Sequence, residues 1–479
     1  MPSMMSNDDM TESRRSNEIT IENAPSSTQD NYSMKEKYAG GPPLEVVDHK
    51  DSEVLEDEEY PDGGLKAWLV VVGAMCNTFS TSVQSSLRCL LQCANFHGHG
   101  RDALIFGYVN SWGIFQSYYQ ESILQSSSPS TIAWIGSIQY SLVFLPGLVV
   151  GRLFDMGHHR SIFISSSIIL VVATFLVAEC TKYWHFLLCQ GIVVGLGCGG
   201  IFVPTTAVIS HWFKKRRGLA MGWVAVGSSL GGTLLPIAGK NLLPTVGFKW
   251  TLRIFGFILL TILTAANLLL KRRLPPRKLE GGILNLKAFK NAAYSIYCIS
   301  AFVTFLGIYT LLTYVGVSAT RIGISSDFAF YFIAFANASS LVGRYCAGSV
   351  SDRFGPMNVM MPFTAAAGIL TYAWPFAETR SSLIAVTVIY GFCSGAYVSL
   401  TANPILEMGE MHDVGRRTGM FMSILALGAL AGPPISGAIN AATGGFKVVG
   451  YYAGSAVLVG MVLMATSRHL ILGQISGKL

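Results

Sequence analysis

A guanidinium two helical turns inside an apolar run is a strong chemical signal. Arg344 stands in NASSLVGRYCAG (337–348), and the next charge, Asp352, lies eight residues on. In a bilayer a charged side chain is costly unless it faces a cavity and finds a partner. The planar fork of arginine suits a carboxylate or another acidic oxygen, so Arg344 is the first candidate for binding an organic anion. Softer candidates are the amides inside apolar runs, Asn110, Gln139, Asn337 and Asn403, and the phenol of Tyr309, with Tyr314 and Tyr397 as further aromatic groups. Each amide is equally suited to bond a neighbouring helix, because an unpaired polar group in hydrocarbon costs energy.

Other constellations fail on spacing. Cys89, Cys93, His97 and His99 form C-x3-C-x3-H-x-H. The ligand types suit zinc, but the spacing matches no common structural site, so no metal is assigned. GLGCGG (195–200) and GSSLGG (227–232) superficially suggest phosphate loops, yet both lie in apolar runs without a following Lys-Ser/Thr. Small residues of this kind let helices approach closely. The nine cysteines are an odd count without the spacing of a disulfide framework. No Walker, HExxH or Ser/His/Asp pattern occurs, so ATP-driven transport, an enzyme and a cofactor are not expected.

The elements that must hold Arg344 follow from composition. Only 13% of the 479 residues are charged and 51% are hydrophobic, with a mean hydropathy of +0.46. A soluble domain carries roughly 25% charged residues. This chain has too little polar surface to cover a water-soluble globule, so most of its surface faces lipid. Residues 1–60 are the exception, with 15 acidic and 5 basic residues. They lack the apolar stretch of a signal peptide and read as a disordered acidic cytosolic tail with Ser/Thr open to phosphorylation.

A crossing helix needs about 20 mostly apolar residues. Such runs occur near 66–81 with 106–118, then at 130–151, 161–180, 184–209, 218–239 and 250–270. Six more follow at 292–317, 328–350, 357–376, 382–404, 416–440 and 447–468. The expected fold class is an all-α integral membrane protein with twelve transmembrane helices in two six-helix pseudo-repeats, 61–270 and 292–479. A basic cytosolic linker, 271–291, joins them. Lys and Arg collect in alternate loops, including KKRR (214–217) and seven residues of 271–291. By the positive-inside rule both termini are then cytosolic.

The halves repeat. VGRLFDMGHHR (150–160) and AGSVSDRFG (347–355) each place Gly four residues before an Asp, with Asp155 and Asp352 197 residues apart. Arg217 and Arg417 open the fifth and eleventh runs 200 apart, and Gly227 and Gly231 answer Gly428 and Gly432 at 201. Duplication of a six-helix unit marks transporters that bind at the midplane and alternate access. A carboxylate at the end of its own helix opposes that helix's dipole, so it serves the positive N-terminus of a neighbour. Asp155 and Asp352 are therefore read as gate latches, with Arg160 and Arg353 adding charge pairing, and the repeated Arg217 and Arg417 are further gate candidates.

These motifs resemble the duplicated G-x-x-x-D loops of the major facilitator superfamily. PDGGLKAW (61–68), HWFKKRRGLAMGWVAVG (211–227), NSWGIFQSYY and IAWIGSIQ resemble its monocarboxylate porter branch, particularly the fungal members. The resemblance covers roughly residues 60–470. It implies twelve helices, alternating access and small organic substrates, often carboxylates moved with a proton.

The sequence departs from that pattern at two charges. Proton-coupled lactate carriers hold an Asp one turn before the eighth-span Arg and a Lys in the first span. Here Ser340 and, with 82–105 set aside, Asn110 take those positions. Neither can exchange a proton as a desolvated carboxylate does. The expected function is a secondary active or facilitative carrier of a small organic molecule, an organic anion or secondary metabolite, leaning to efflux. Uptake of a monocarboxylate or vitamin-like nutrient, and a transporter-like nutrient sensor, are the alternatives. The partners are the lipid bilayer and the substrate, with no nucleic acid, and the carrier is expected to act as a monomer in the plasma membrane.

Residues 82–105 break the first run with Arg88, His97, His99, Arg101 and Asp102. Their removal joins the flanks as VVVGAMCNTFSTFGYVNSWGIFQSYYQ, one unbroken apolar span. The segment reads as a retained intron or splice error, against a second reading as a true extracellular insertion. Sequencing the mature message across the codons for Thr81 to Phe106 is expected to show 82–105 absent. Their presence there would make the interruption real and remove the basis for placing Asn110 in a cavity.

Overall fold

The computed structural model describes residues 61–86, 129–273, 282–409, 413–474 and 477. Among them the regular structure is helical throughout, with no strand. Twelve helical segments of membrane-crossing length follow in order: α1 Gly64–Ser86, α2 Trp134–Asp155, α3 His159–Val177, α4 Tyr183–Ser210, α5 Arg217–Gly239 and α6 Thr245–Leu269. Then come α7 Ala292–Arg321, α8 Ser326–Phe354, α9 Pro356–Phe376, α10 Arg380–Glu407, α11 Val414–Thr443 and α12 Phe446–Leu472.

Ten of these are apolar enough along their length to cross a bilayer by composition alone. The other two, α1 and α8, carry polar side chains turned inward. Asn77, Thr78, Ser80 and Thr81 of α1 are buried, as are Ser340 and Ser351 of α8. Their polarity is directed at protein, which is where a bilayer tolerates it.

The first span differs from expectation. Helix α1 continues five residues beyond Thr81, and its 23 residues meet the about 20 a crossing requires. Residues 106–118, Asn110 among them, and the Cys89–His99 group lie outside the described residues.

Local breaks have identifiable causes. Pro146 interrupts α2 between Phe144 and Gly147, as proline lacks the N–H that a helix interior requires. A π-helical stretch, Leu187–Val193, lies inside α4. Helical structure runs from Arg217 to Leu269 with one non-helical residue, Gly247, which kinks the chain near the start of α6 at φ 75° and ψ 173°. Only glycine adopts that backbone without strain.

The two stretches PDGGLKAW and HWFKKRR touch. Asp62, itself at φ 41°, accepts the backbone N–H groups of Lys214, Lys215 and Arg216 on Oδ1 at 2.7, 2.7 and 3.2 Å. Trp68 packs edge-on against Phe213 with ring centroids 5.5 Å apart. Asp62 thereby supplies acceptors for the donors preceding α5, which are left without helical partners. Within the first half, Thr78 Oγ1 donates to Val224 O at 2.5 Å and Asn77 Nδ2 to Thr205 Oγ1 at 3.1 Å. These bonds fix the rotation of α1 against α4 and α5.

At the face opposite the basic loops, Glu179 joins the α3–α4 turn to α6. It accepts from Lys249 Nζ at 2.8 Å and from Arg253 Nη2 at 2.7 Å. The hydrogen bond from Lys249, then that from Arg253, hold the Glu179 carboxyl below its usual range. A depressed carboxylate contributes stability above its unfolded pKa and loses it as pH falls through the lowered folded value. The melting-temperature difference between wild type and Glu179→Gln is therefore expected to be small, as exposed pairs are. It should be present at pH 7 and shrink as pH falls below the usual carboxylate range. A difference that does not shrink on acidification would contradict this assignment.

Candidate functional site

A cavity lies between the two sets of six helices, lined from α1 by Thr78 and Thr81, from α2 by Tyr140 and Phe144, and from α5 by Ala225, Ser228 and Gly232. The second half contributes Phe305 and Tyr309 of α7, Asn337 and Arg344 of α8, Ser399 and Thr401 of α10, and Met422 and Leu425 of α11. Tyr309 meets Tyr140 edge-on across the cavity at 5.7 Å and Phe305 at 5.6 Å. The walls are mostly aromatic and aliphatic, with hydroxyls and one cation among the described residues.

That cation is Arg344. Its Nε donates to Ser340 Oγ at 3.0 Å, and its Nη1 donates to Ala225 O at 2.8 Å and to Ser228 Oγ. Ser340 is also 3.4 Å from Ser229. All of these partners are neutral. No described carboxylate forms an ion pair with Arg344, and Asp352 is about 12 Å away along the same helix. The Ser in place of an Asp one turn before Arg344 therefore still receives the guanidinium, but without cancelling its charge.

The remaining expected substrate contacts divide. Asn337 lines the cavity and donates to Gly232 O at 3.1 Å, and Tyr309 lines it too. Gln139 and Asn403 are buried just behind the wall, next to the lining residues Tyr140 and Ala402. Among the described residues, neither Gln139 Oε1 nor Asn403 Oδ1 has a hydrogen-bond partner. Tyr314 and Tyr397 do not line the cavity. They are buried in packing, and the Tyr314 hydroxyl donates to Pro433 O at 3.1 Å.

Two crossings join the halves on the side of the basic loops. Asp155, at the end of α2, accepts from Gly415 N at 3.0 Å and Arg416 N at 2.8 Å, the first turn of α11. Asp352, near the end of α8, accepts from Gly218 N at 2.6 Å and Leu219 N at 3.0 Å, the first turn of α5. Each carboxylate of one half satisfies N–H groups that the helix of the other half leaves unpaired. A side-chain carbon on Gly151 would strike the carbonyl of Gly415, and one on Gly348 would lie 2.6 Å from Gly218 O. Backbones at such distances leave no room for a Cβ, so glycine is required at both crossings.

The other expected gate residues are placed differently. Arg160 and Arg353 are exposed and form no ion pair with a described residue. The charges at the first latch come from elsewhere. Arg272 donates to the carbonyls of Phe154 and Asp155, and Asp413 takes Arg416 and, at 3.9 Å, Arg417. Arg217 donates to Phe213 O and Arg417 to Ile405 O, so their roles are not equivalent. The latch contacts repeat at an offset of 197, which pairs Arg217 with Val414 rather than with Arg417.

Comparison with known proteins agrees with this architecture. The family model for the Major Facilitator Superfamily matches residues 103–406 and 298–471. The chain belongs to that superfamily. Its first match begins at 103, at the end of the segment read as anomalous in the sequence. The superfamily member MFS-type transporter 1 of Ophiocordyceps sp. is 35% identical over 416 residues, covering 86% of this chain and 87% of that protein. The aspyridones efflux protein apdF of Emericella nidulans is 35% identical over 410 residues, covering 85% and 79%. The human organic anion transporter MFSD10 (TETRAN) shares the fold with a TM-score of 0.66 at 16% identity, covering 84% of this chain and 100% of the other.

This superfamily member therefore keeps its halves together through the polar ends and glycine faces of four helices. Sequence reasoning missed Ser228, Thr78 and Tyr140 as cavity residues. The stripe Gly218, Gly222, Ala225, Ser229 and Gly232 on α5 was the available signal for that helix, since small residues at three- and four-residue spacing mark the face a neighbour approaches. Replacing Gly151 by Leu is expected to force the α2–α11 crossing apart and cut transport at least tenfold, with the protein still monodisperse in detergent. Asp352→Ala removes two hydrogen bonds to a charged acceptor, worth about 1.5–3 kcal/mol each, and should shift the balance of states by tenfold or more. Full transport by both variants in reconstituted vesicles would show that neither crossing matters.

Proposed function

We propose that this protein is an efflux carrier for an organic anion of secondary-metabolite type, working by alternating access. The observation that carries this reading is Arg344. It is the one charged side chain among the described residues lining the cavity, and among those residues its hydrogen bonds are all to neutral oxygens. A guanidinium held there by Ser228, Ser340 and the Ala225 carbonyl keeps its charge available to an anionic ligand. Tyr140, Phe144, Phe305 and Tyr309 would surround the apolar body of that ligand, with hydrogen bonds from Asn337 or a nearby Thr. Gln139 and Asn403, buried behind the wall, and Asn110 would contribute if the cavity widens towards them.

Asp155 and Asp352 act as the gate on this reading. The basic face is cytosolic, as the Lys- and Arg-rich loops support, so the latched state is closed to the cytosol. Release of both carboxylates from the α5 and α11 N-termini would open that side, and Arg272 and Asp413 would steady the first latch. The halves 61–270 and 292–479 then move about the 271–291 linker. Both termini lie in the cytosol, the carrier works as a monomer in the plasma membrane, and it performs no chemical conversion. The contact between Asp62 and the turn before α5 supports assignment to the monocarboxylate-porter branch, because it unites the two motifs that resemble that branch. Efflux is favoured by the relative named for aspyridones efflux and by the lack of an Asp at Ser340.

Comparing organic anions inside and outside cells that carry wild type, Arg344→Gln or a deletion tests this function. Efflux predicts that the deletion and the variant accumulate an anion inside, by several-fold, and lose it from the medium. A growth defect cured by a high concentration of an external carboxylate would show uptake instead. Unchanged pools with normal expression of the variant would contradict a role for Arg344.

A further inference from the structure

We infer that this carrier is an anion exchanger, in which the empty cavity reorients slowly and a bound anion on each side makes the turnover fast. The inference rests on the reading of Arg344 as the anion contact and adds how the two faces are coupled.

The coupling is electrostatic. Arg344 spends Nε and Nη1 on Ser340, Ser228 and the Ala225 carbonyl. These bonds satisfy donors, and no carboxylate among the described residues pairs with the guanidinium. The carboxylate nearest along α8, Asp352, already takes the N–H groups of Gly218 and Leu219. It cannot turn inward without releasing the latch. Asp155 is held in the same way by Gly415 and Arg416. No carboxylate lies among the described residues that line the cavity.

Alternating access requires a state closed on both faces, in which most water has left the cavity. A lone charge in that state loses its hydration without a counter-charge, and burying a charge unpaired is strongly unfavourable. A bound anion supplies the counter-charge, so the loaded carrier passes through the closed state far more readily than the empty one. An Asp at the position of Ser340 would do the same from within the protein. Its replacement by a neutral hydroxyl moves that task to the substrate. Each outward journey of an anion then depends on another anion for the return.

Full-length protein reconstituted in phosphatidylcholine vesicles gives the test. The probe is radiolabelled 4-toluenesulfonate, an aryl anion that stays ionised at every pH used, so its own protonation cannot carry the flux. One set of vesicles holds unlabelled 4-toluenesulfonate and the other potassium phosphate alone. Valinomycin in both prevents a membrane potential from limiting net uptake. Thermal stabilisation of the purified protein by the probe, absent in Arg344→Gln, first establishes binding at Arg344.

The expected result is uptake at least tenfold faster into the vesicles preloaded with probe. Ser340→Asp should bring that ratio towards one by speeding entry into vesicles without probe, while Ser340→Ala keeps it. Equal uptake by wild type into both sets, with binding intact, overturns exchange and leaves the anion reading standing. A tenfold ratio that Ser340→Asp does not lower overturns the electrostatic cause. If the probe stabilises neither wild type nor variant, the anion reading itself falls, and exchange with it.

Discussion

Two carboxylates cap helices that belong to the other half of the molecule, and the rest of the arrangement depends on them. Helix N-termini leave N–H groups without partners and carry a partial positive charge. In α5 and α11 those groups face a neighbouring helix end, where a carboxylate replaces water. Asp352 and Asp155 meet this need only if the helices approach backbone to backbone. Gly151 against Gly415, and Gly348 against Gly218 and Gly222, make that approach possible. At each crossing one carboxylate accepts two N–H groups from the other half.

The same frame places the binding charge. The latch contacts repeat at an offset of 197, and so does the pair Gly147 and Arg344. At Gly147 the frame is used for close approach, where a Cβ would lie 3.1 Å from the carbonyl of Gly419. At Arg344 the backbone carbonyl meets Gly222 in the same way, with a Cβ there 2.9 Å distant, while the side chain turns to Ala225 and Ser228. The packing is symmetric and the chemistry is not. One half supplies a small residue at the crossing, the other a guanidinium, so a duplicated scaffold carries a charge on one side only.

Much of this was readable before any coordinates. Span positions follow from apolar composition, which the bilayer imposes directly, and the G-x-x-x-D loops located both acceptors because a carboxylate at a helix end has few physical uses. What stayed hidden depends on helix rotation and on the ends of long side chains. Arg160 and Arg353 stand near the latch carboxylates in sequence, yet they reach solvent. Arg272, far away in sequence, reaches the carbonyls of Phe154 and Asp155 instead. Tyr309, Tyr314 and Tyr397 look alike in the sequence, and only the rotation of α7 and α10 turns one to the cavity and buries the others. Asp62 was part of a recognisable motif, but nothing in the spacing shows that it gathers three N–H groups of the turn before α5.

On the alternating-access reading proposed above, Asp155 and Asp352 hold the basic face shut. Double electron–electron resonance between spin labels at Arg160 and Arg353, in a background without the native cysteines, measures it directly. Both sites are exposed and lie on opposite halves beside the latches. The account predicts one short distance with the latches intact and a second, longer population when Asp155→Asn and Asp352→Asn are combined. An unchanged distance distribution in the double variant would contradict it.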